Sequence, residues 1–195
     1  MTRLALIRHG TSEWNERGLL QGHADPPLSA RGAAAVAAWR LPAALADCTW
    51  VASPLLRARA TARLLIGREA AIEPALIEMD WGEWEGRSLA ALRAELGGAL
   101  AANEARGLDF RPPGGESPRE VQVRLLPWLA RVAAVGSTTA AVTHKGVIRA
   151  VIGLATGWDF LGRPPVRLAA ATALVFELDA AGRPQHGAAL ALSAP

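Results

Sequence analysis

Apolar and polar positions fall into blocks along the chain, and the blocks mark out strands and helices. Leu4 to Ile7 is a short apolar run that reads as a buried strand, ending in the polar, glycine-bearing loop Arg8-His9-Gly10-Thr11-Ser12. Thr49 to Ala52 and Thr138 to Thr143 repeat the arrangement, closing at Ser53-Pro54 and at His144-Lys145-Gly146. Thr172 to Leu178 and Gly187 to Leu192 read as late strands. Helical stretches lie between them. Ser29 suits an N-cap for the alanine-rich piece from Ala30 to Ala46, with a break or kink expected near Pro42. Leu55 to Ile66 reads as a helix with Leu56, Ala60 and Leu64 on one face. Arg119 to Val135 reads as a helix despite Pro127, and Val147 to Thr156 as another. Strands alternating with helices predict an α/β fold: a three-layer α/β/α sandwich around a mostly parallel sheet, built as one domain over residues 1–195.

The stretch from Glu73 to Pro118 departs from this rhythm. It holds Asp80-Trp81-Gly82-Glu83-Trp84-Glu85-Gly86, a short helix around Ser88 to Leu96, and then Pro112-Pro113-Gly114-Gly115. Glycine, proline and exposed-looking tryptophan mark an irregular excursion that forms a lid or pocket wall. Trp81 and Trp84 are expected either in the pocket or at a homodimer contact. Trp14, Trp39, Trp50, Trp128 and Trp158 are expected as core or half-buried packing.

Composition narrows the function classes. Half of the 195 residues are hydrophobic and a fifth are charged, which is a folded globular balance. The formal charge is +3, and Lys145 is the one lysine among many arginines. The basic residues are scattered, so the continuous stripe of a nucleic-acid binder is missing, while a mild positive balance suits an anionic substrate. One cysteine, Cys48, excludes an intrachain disulfide and fits a reducing compartment. The N-terminal apolar run is too short for a signal peptide, and no run approaches a membrane span. The expectation is a cytoplasmic protein with neither nucleic-acid nor membrane partners.

Three polar strand ends carry the candidate chemistry. A histidine after a buried strand, as His9 is, can be held by backbone while its neutral imidazole acts as a nucleophile. Arg8 beside it offers a forked donor to phosphate oxygens, and Gly10 lets backbone approach a ligand. His144 repeats the context, followed by a helix start whose free N–H groups at Lys145 and Gly146 favour a bound anion. Arg57, on the first turn after Ser53-Pro54, can reach back over the strand edge, whereas Arg59 and Arg63 read as solvated. A leaving alkoxide needs a proton, and spacing alone leaves Glu78, Asp80, Glu83 and Glu85 as candidate acids. His23 and His186 fall on an entrance loop and a late turn, without metal-ligand spacing.

Together these segments resemble the histidine phosphatases, the family that includes the cofactor-dependent phosphoglycerate mutases. The resemblance rests on Arg8-His9-Gly10, on Gln21 to Ser29, on Ser53 to Thr61, on Leu76 to Gly86 and on Val142 to Arg149, and it spans nearly the whole chain. It implies His9 as the phosphorylated residue, and Arg8, Asn15, Arg57 and His144 with the backbone near Lys145 and Gly146 as phosphate ligands. It also selects Glu78 as the proton donor, with no metal and no cofactor. Lys145 departs from the small residue of many relatives and is expected at the pocket rim.

The resemblance further implies that mutases are longer and carry an Arg-His-Tyr-Gly-like run after the acid, where this chain reads Met79-Asp80-Trp81-Gly82. Loss of that basic run favours hydrolysis of a small phosphorylated metabolite. The similar segments of the bacterial phosphatase branch, which includes α-ribazole-phosphate phosphatase, point the same way. Mutase-type transfer and a non-catalytic phospho-ligand binder are the alternatives.

Overall fold

The computed structural model describes residues 2–192. The first strand, β1 (Thr2–Arg8), sends Leu4 and Leu6 into the core on one face of the sheet and Ala5 and Ile7 into the core on the other. This is the two-residue period of a strand buried on both sides, which is why its sequence reads as continuously apolar. A single turn, α1 (Glu13–Glu16), follows unannounced by any apolar period. Ser12 and Asn15 close it with a reciprocal capping box.

The helix α2 (Ala30–Ala37) starts where Ser29 Oγ accepts the Gly32 N–H at 2.9 Å, but it stops well before Ala46. Pro42 is not the breaker. The chain turns at Ala38, and Trp39 and Leu41 pack against the core, while the Arg40 N–H donates to the Leu192 carbonyl. That tertiary anchoring outweighs the helix propensity of alanine, and only a short 3₁₀ turn, Ala43–Leu45, remains beyond Pro42.

The strand β2 (Thr49–Ala52) and the helix α3 (Leu56–Ile66) lie where the pattern puts them. The buried face of α3 differs from the expected one. Arg57, Ala58, Thr61 and Ala62 are buried, while Leu56 and Leu64 are 48% and 41% exposed. Small residues facing the sheet bring the helix axis close, and that approach carries Arg57 over the strand ends. After α3 comes β3 (Ala71–Ile72), too short for an alternation to register.

The excursion holds α4 (Leu89–Leu96) and an unanticipated α5 (Gly98–Glu104), gathered on a small core of Trp84, Leu92 and Leu100. Trp84 is therefore buried rather than available to a dimer contact. Trp81 is half-buried, edge-on to Phe110.

The chain then forms α6 (Pro118–Val135), β4 (Thr139–Thr143), α7 (Lys145–Thr156), β5 (Thr172–Leu178) and β6 (Pro184–Ala191). Pro127 leaves α6 unbroken because the carbonyl it deprives belongs to the exposed Val123, where solvent can satisfy it. His186 lies within β6, against Phe176, and not on a turn.

The six strands form one sheet in the order β3-β2-β4-β1-β5-β6; the first four are mutually parallel, β5 runs antiparallel to β1, and β6 runs antiparallel to β5. The helices α6 and α7 cover one face, and α2 and α3 cover the other. This is the expected layered α/β/α arrangement. Among the described residues no helix is long and apolar enough to cross a membrane.

Candidate active site

Three adjacent parallel strands, β2, β4 and β1, end at the same edge of the sheet. Ser53, His144 and His9 are the residues that follow them, so the topology itself sets these side chains side by side. This carboxyl edge is where open α/β sheets hold ligands. The imidazole centroids of His9 and His144 stand 5.0 Å apart.

Hydrogen bonds fix the tautomer of each histidine. His9 Nδ1 lies 2.6 Å from the Gly10 carbonyl oxygen. A carbonyl only accepts, so Nδ1 carries the proton and the lone pair resides on Nε2. The His9 N–H also donates to Thr143 O at 2.9 Å, and the Gly10 N–H donates to Thr61 Oγ1 at 3.0 Å, which pins the loop on both sides. Burial, with Arg57 and Arg8 close by, pulls the His9 pKa down to about 3. The ring is thus neutral and nucleophilic at neutral pH.

His144 is fully buried, with Nε2 2.7 Å from Ser53 Oγ. The Leu55 N–H donates to that oxygen, and among the described residues His144 Nε2 is the one acceptor in reach of the Ser53 hydroxyl, which assigns the hydroxyl hydrogen to Nε2. Nδ1 then carries the imidazole proton. Burial and then the neighbouring His9 hold His144 well below the ordinary histidine value. Its Nδ1–H has no partner in the protein, and neither do Arg8 Nε and Arg57 Nε. These are the buried side-chain polar atoms without a partner among the described residues, and all three belong to this one site. Each such group costs about 1–3 kcal/mol unless something satisfies it. Three orphaned donors on groups that neighbour the His9 imidazole are what a tetrahedral oxyanion would engage.

Arg57 is fully buried. Its Nη1 and Nη2 donate to the carbonyls of Ala24 and Gly22 at 2.8 and 2.9 Å, and Asp25 Oδ1 lies 3.8 Å away. One guanidinium therefore fastens the entrance loop and keeps Nε for the site. Glu85 completes the fastening, its two oxygens each accepting a 2.6 Å bond from the His23 and Ala24 N–H groups.

Of the four candidate acids, Glu78 alone is buried. Asp80 accepts from the Gly82 N–H and stands 3.8 Å from His23 Nδ1, Glu83 is exposed, and Glu85 is committed to the loop. Burial raises the Glu78 pKa, against backbone N–H bonds and the charges of Arg57 and Arg8 that lower it. A raised pKa keeps a proton available for donation. The Met79 N–H donates to its Oε1 at 2.8 Å and the Gly146 N–H to its Oε2 at 3.2 Å.

That last bond changes the expected part of Gly146. Its N–H is spent on the acid rather than left free for a phosphoryl oxygen. Asn15 is likewise partly spent, since its Oδ1 accepts the Ser12 N–H at 3.2 Å, but it lines a cavity of about 350 Å³ with Arg8, His9 and Thr11. Arg57, Glu78 and His144 are buried and are not on the wall of this cavity. Lys145 is exposed and lines a neighbouring cavity of about 420 Å³ that also meets Arg8.

Sequence reasoning missed three contributors. Ser53 sets the His144 tautomer and Thr61 holds the Gly10 N–H, and both lie within a segment already singled out. Arg124, on α6, donates to the carbonyls of Ala75, Ile77 and Glu78, and no local signal marks it. Among the described residues no three His, Cys, Asp or Glu side chains cluster as metal ligands.

Fold and site together define an α/β protein with a histidine-centred anion site at the carboxyl edge of its sheet. The pattern of the histidine phosphatase superfamily (branch 1) matches residues 4–185. The chain belongs to that superfamily, whose members are phosphatases and mutases. A 2,3-bisphosphoglycerate-dependent phosphoglycerate mutase of Methylobacterium radiotolerans is 34% identical over 192 residues, covering 91% of this chain and 90% of that one. The α-ribazole phosphatase of Shigella flexneri superposes with a TM-score of 0.80 at 26% identity, over 98% of this chain and 96% of that one. A mycobacterial glucosyl-3-phosphoglycerate phosphatase, solved with VO3, gives 0.81 at 26% identity, over 98% and 99%. The alignment spans nine-tenths of that mutase, so coverage alone does not distinguish this chain from mutases.

Proposed function

We propose that this chain hydrolyses a small phosphomonoester through a phosphohistidine on His9. The observation that carries the reading is the His9 Nε2 lone pair beside three buried, unpartnered donors, Arg8 Nε, Arg57 Nε and His144 Nδ1. In the first step Nε2 attacks phosphorus in line. The P–N bond forms as the ester P–O bond breaks, and Glu78 delivers its proton to the leaving oxygen. In the second step the Glu78 carboxylate takes a proton from water, whose oxygen attacks the phosphohistidine and releases inorganic phosphate.

Arg8, Arg57 and His144, with Asn15, hold the phosphoryl oxygens, and Lys145 adds charge at the rim. The guanidinium groups supply the charge neutralisation, so no step calls on a metal or a cofactor. The same reading puts the enzyme in the cytoplasm, acting on a phosphorylated metabolite as a monomer or homodimer.

The curated relatives named as mutases favour a second reading, phosphoryl transfer between phosphoglycerates. Against it stands Asp80, a carboxylate half-buried in the acidic segment where a transferred anion would prefer a base. The test is turnover of p-nitrophenyl phosphate in EDTA by the purified chain, abolished in His9→Ala. Rapid interconversion of phosphoglycerates that depends on a bisphosphate primer would replace hydrolysis with the mutase reading. EDTA-sensitive turnover would point to metal-dependent hydrolysis, and no turnover of any monoester to a binding protein.

A further inference from the structure

Arg8, Lys145, Arg149, Arg163 and Arg167 line one cavity of about 420 Å³, and no carboxylate is on its wall. Of the sixteen other arginines, ten have a carboxylate within ion-pair distance, and the six that do not, Arg3, Arg17, Arg40, Arg59, Arg68 and Arg106, are exposed. Among the described residues the five cations of the cavity have none. The rest of the wall, Ile152, Pro164, Val166 and Leu168, is apolar, so no other polar side chain on the wall offsets the five charges. Burial, then Arg149 and Arg8, push the Lys145 ammonium below the ordinary lysine value, and Glu78 pulls the other way. Like charges gathered on an apolar floor destabilise the empty site and favour an anion that enters it.

Position says what kind of anion. Arg8 also lines the cavity that holds His9. Arg8 therefore borders both cavities, which sets them side by side. We propose that the substrate carries a second anionic group, a phosphate or a carboxylate, seated among Lys145, Arg149, Arg163 and Arg167 while the transferred phosphoryl group sits at His9. This rests on the phosphatase reading above and adds the substrate class: doubly anionic phosphomonoesters rather than neutral ones.

Phosphonates test this without turnover, because their C–P bond is not an ester. Calorimetry compares propylphosphonate, 3-phosphonopropionate and propane-1,3-diphosphonate at 0.15 M salt, a concentration that screens exposed charges. The expected result is binding of at least one two-anion probe about tenfold or more tighter than propylphosphonate. A tighter diphosphonate identifies phosphate as the second group, and a tighter phosphonopropionate identifies carboxylate. In Arg163→Gln/Arg167→Gln, two exposed side chains whose loss spares the fold, the advantage should fall several-fold. Equal binding of all three probes, or an advantage that survives the double substitution, would overturn the subsite. Turnover of p-nitrophenyl phosphate without a two-anion preference leaves hydrolysis standing and removes the subsite. The preference without turnover does the reverse.

Discussion

Gly146 sits against Glu78 so closely that no side chain fits between them. Its N–H donates to Glu78 Oε2 at 3.2 Å, and a Cβ built on it would fall inside the contact radius of Glu78 Oε1. Gly146→Ala should displace the carboxyl group while leaving the start of α7 helical, since alanine favours helix. A displacement near 1 Å can cost about 10²-fold in rate. The expected outcome is a loss of kcat of that order on p-nitrophenyl phosphate, with the melting temperature shifted by only a few degrees. An unchanged kcat would remove Glu78 from the proton-donor position.

The depressed histidines make stability depend on pH with a definite sign. An unfolded histidine takes a proton near 6.5, whereas His9 resists one until about 3, and His144 shifts the same way. Between those values the unfolded chain binds the extra protons, so stability is full above 6.5 and is lost as pH falls. Glu78 acts oppositely, because its raised pKa lets the folded chain hold a proton above 4.5. Two histidines against one carboxyl leave a positive net slope between 4.5 and 6.5. Urea unfolding across that window should show stability falling with pH, and His9→Asn should flatten the slope by up to about 1.4 kcal/mol per pH unit. Activity should also persist below pH 6.5, since His9 stays neutral there.

Much of this site was legible because its parts are local. A buried strand followed at once by histidine, glycine and a helix start occurs at His9 and at His144, and the parallel sheet brings such ends together. What was illegible depends on partners far apart in the chain. Ser53 and His144 are separated by many residues, so only the neighbouring positions of β2 and β4 reveal their bond. The buried face of α3 is hidden from the sequence for a related reason. Leu56, Ala60 and Leu64 share a helical stripe, but Ala58, Thr61 and Ala62 share another, and close packing on the sheet chose the smaller residues. The short elements α1, α5 and β3 carry too few residues for any period to emerge.

The bond between Ser53 and His144 yields its own prediction. Without the hydroxyl, nothing obliges Nε2 to accept, and the proton can leave Nδ1 for Nε2. Ser53→Ala should lower kcat by up to about 10²-fold, the scale by which a small misplacement in an active site lowers a rate. It removes one oxygen from a fully buried site, so unfolding measurements should register little more than about 1–2 kcal/mol. A kcat equal to that of the unsubstituted chain would mean that His144 is oriented by other contacts.

Arg124 joins the helical layer to the acid. From α6 it donates to the carbonyls of Ala75, Ile77 and Glu78, and it pairs with Glu116 through Nε at 2.7 Å. Its side chain is 23% exposed, so part of the ion pair's worth is lost to solvent. Arg124→Met keeps the aliphatic stem but strands three carbonyls and one carboxylate. The expected cost is about 2–3 kcal/mol, which for a chain of this size lowers the melting temperature by roughly 4–12 °C. Because the segment carrying Glu78 loosens, kcat should fall as well. Glu116→Gln on the same background separates the causes: it relieves the unpaired charge but not the carbonyls. Recovery of less than half the lost stability, with kcat still depressed, is expected if Arg124 acts as a clamp on the segment that carries the acid. Full recovery of both would reduce it to a simple ion pair.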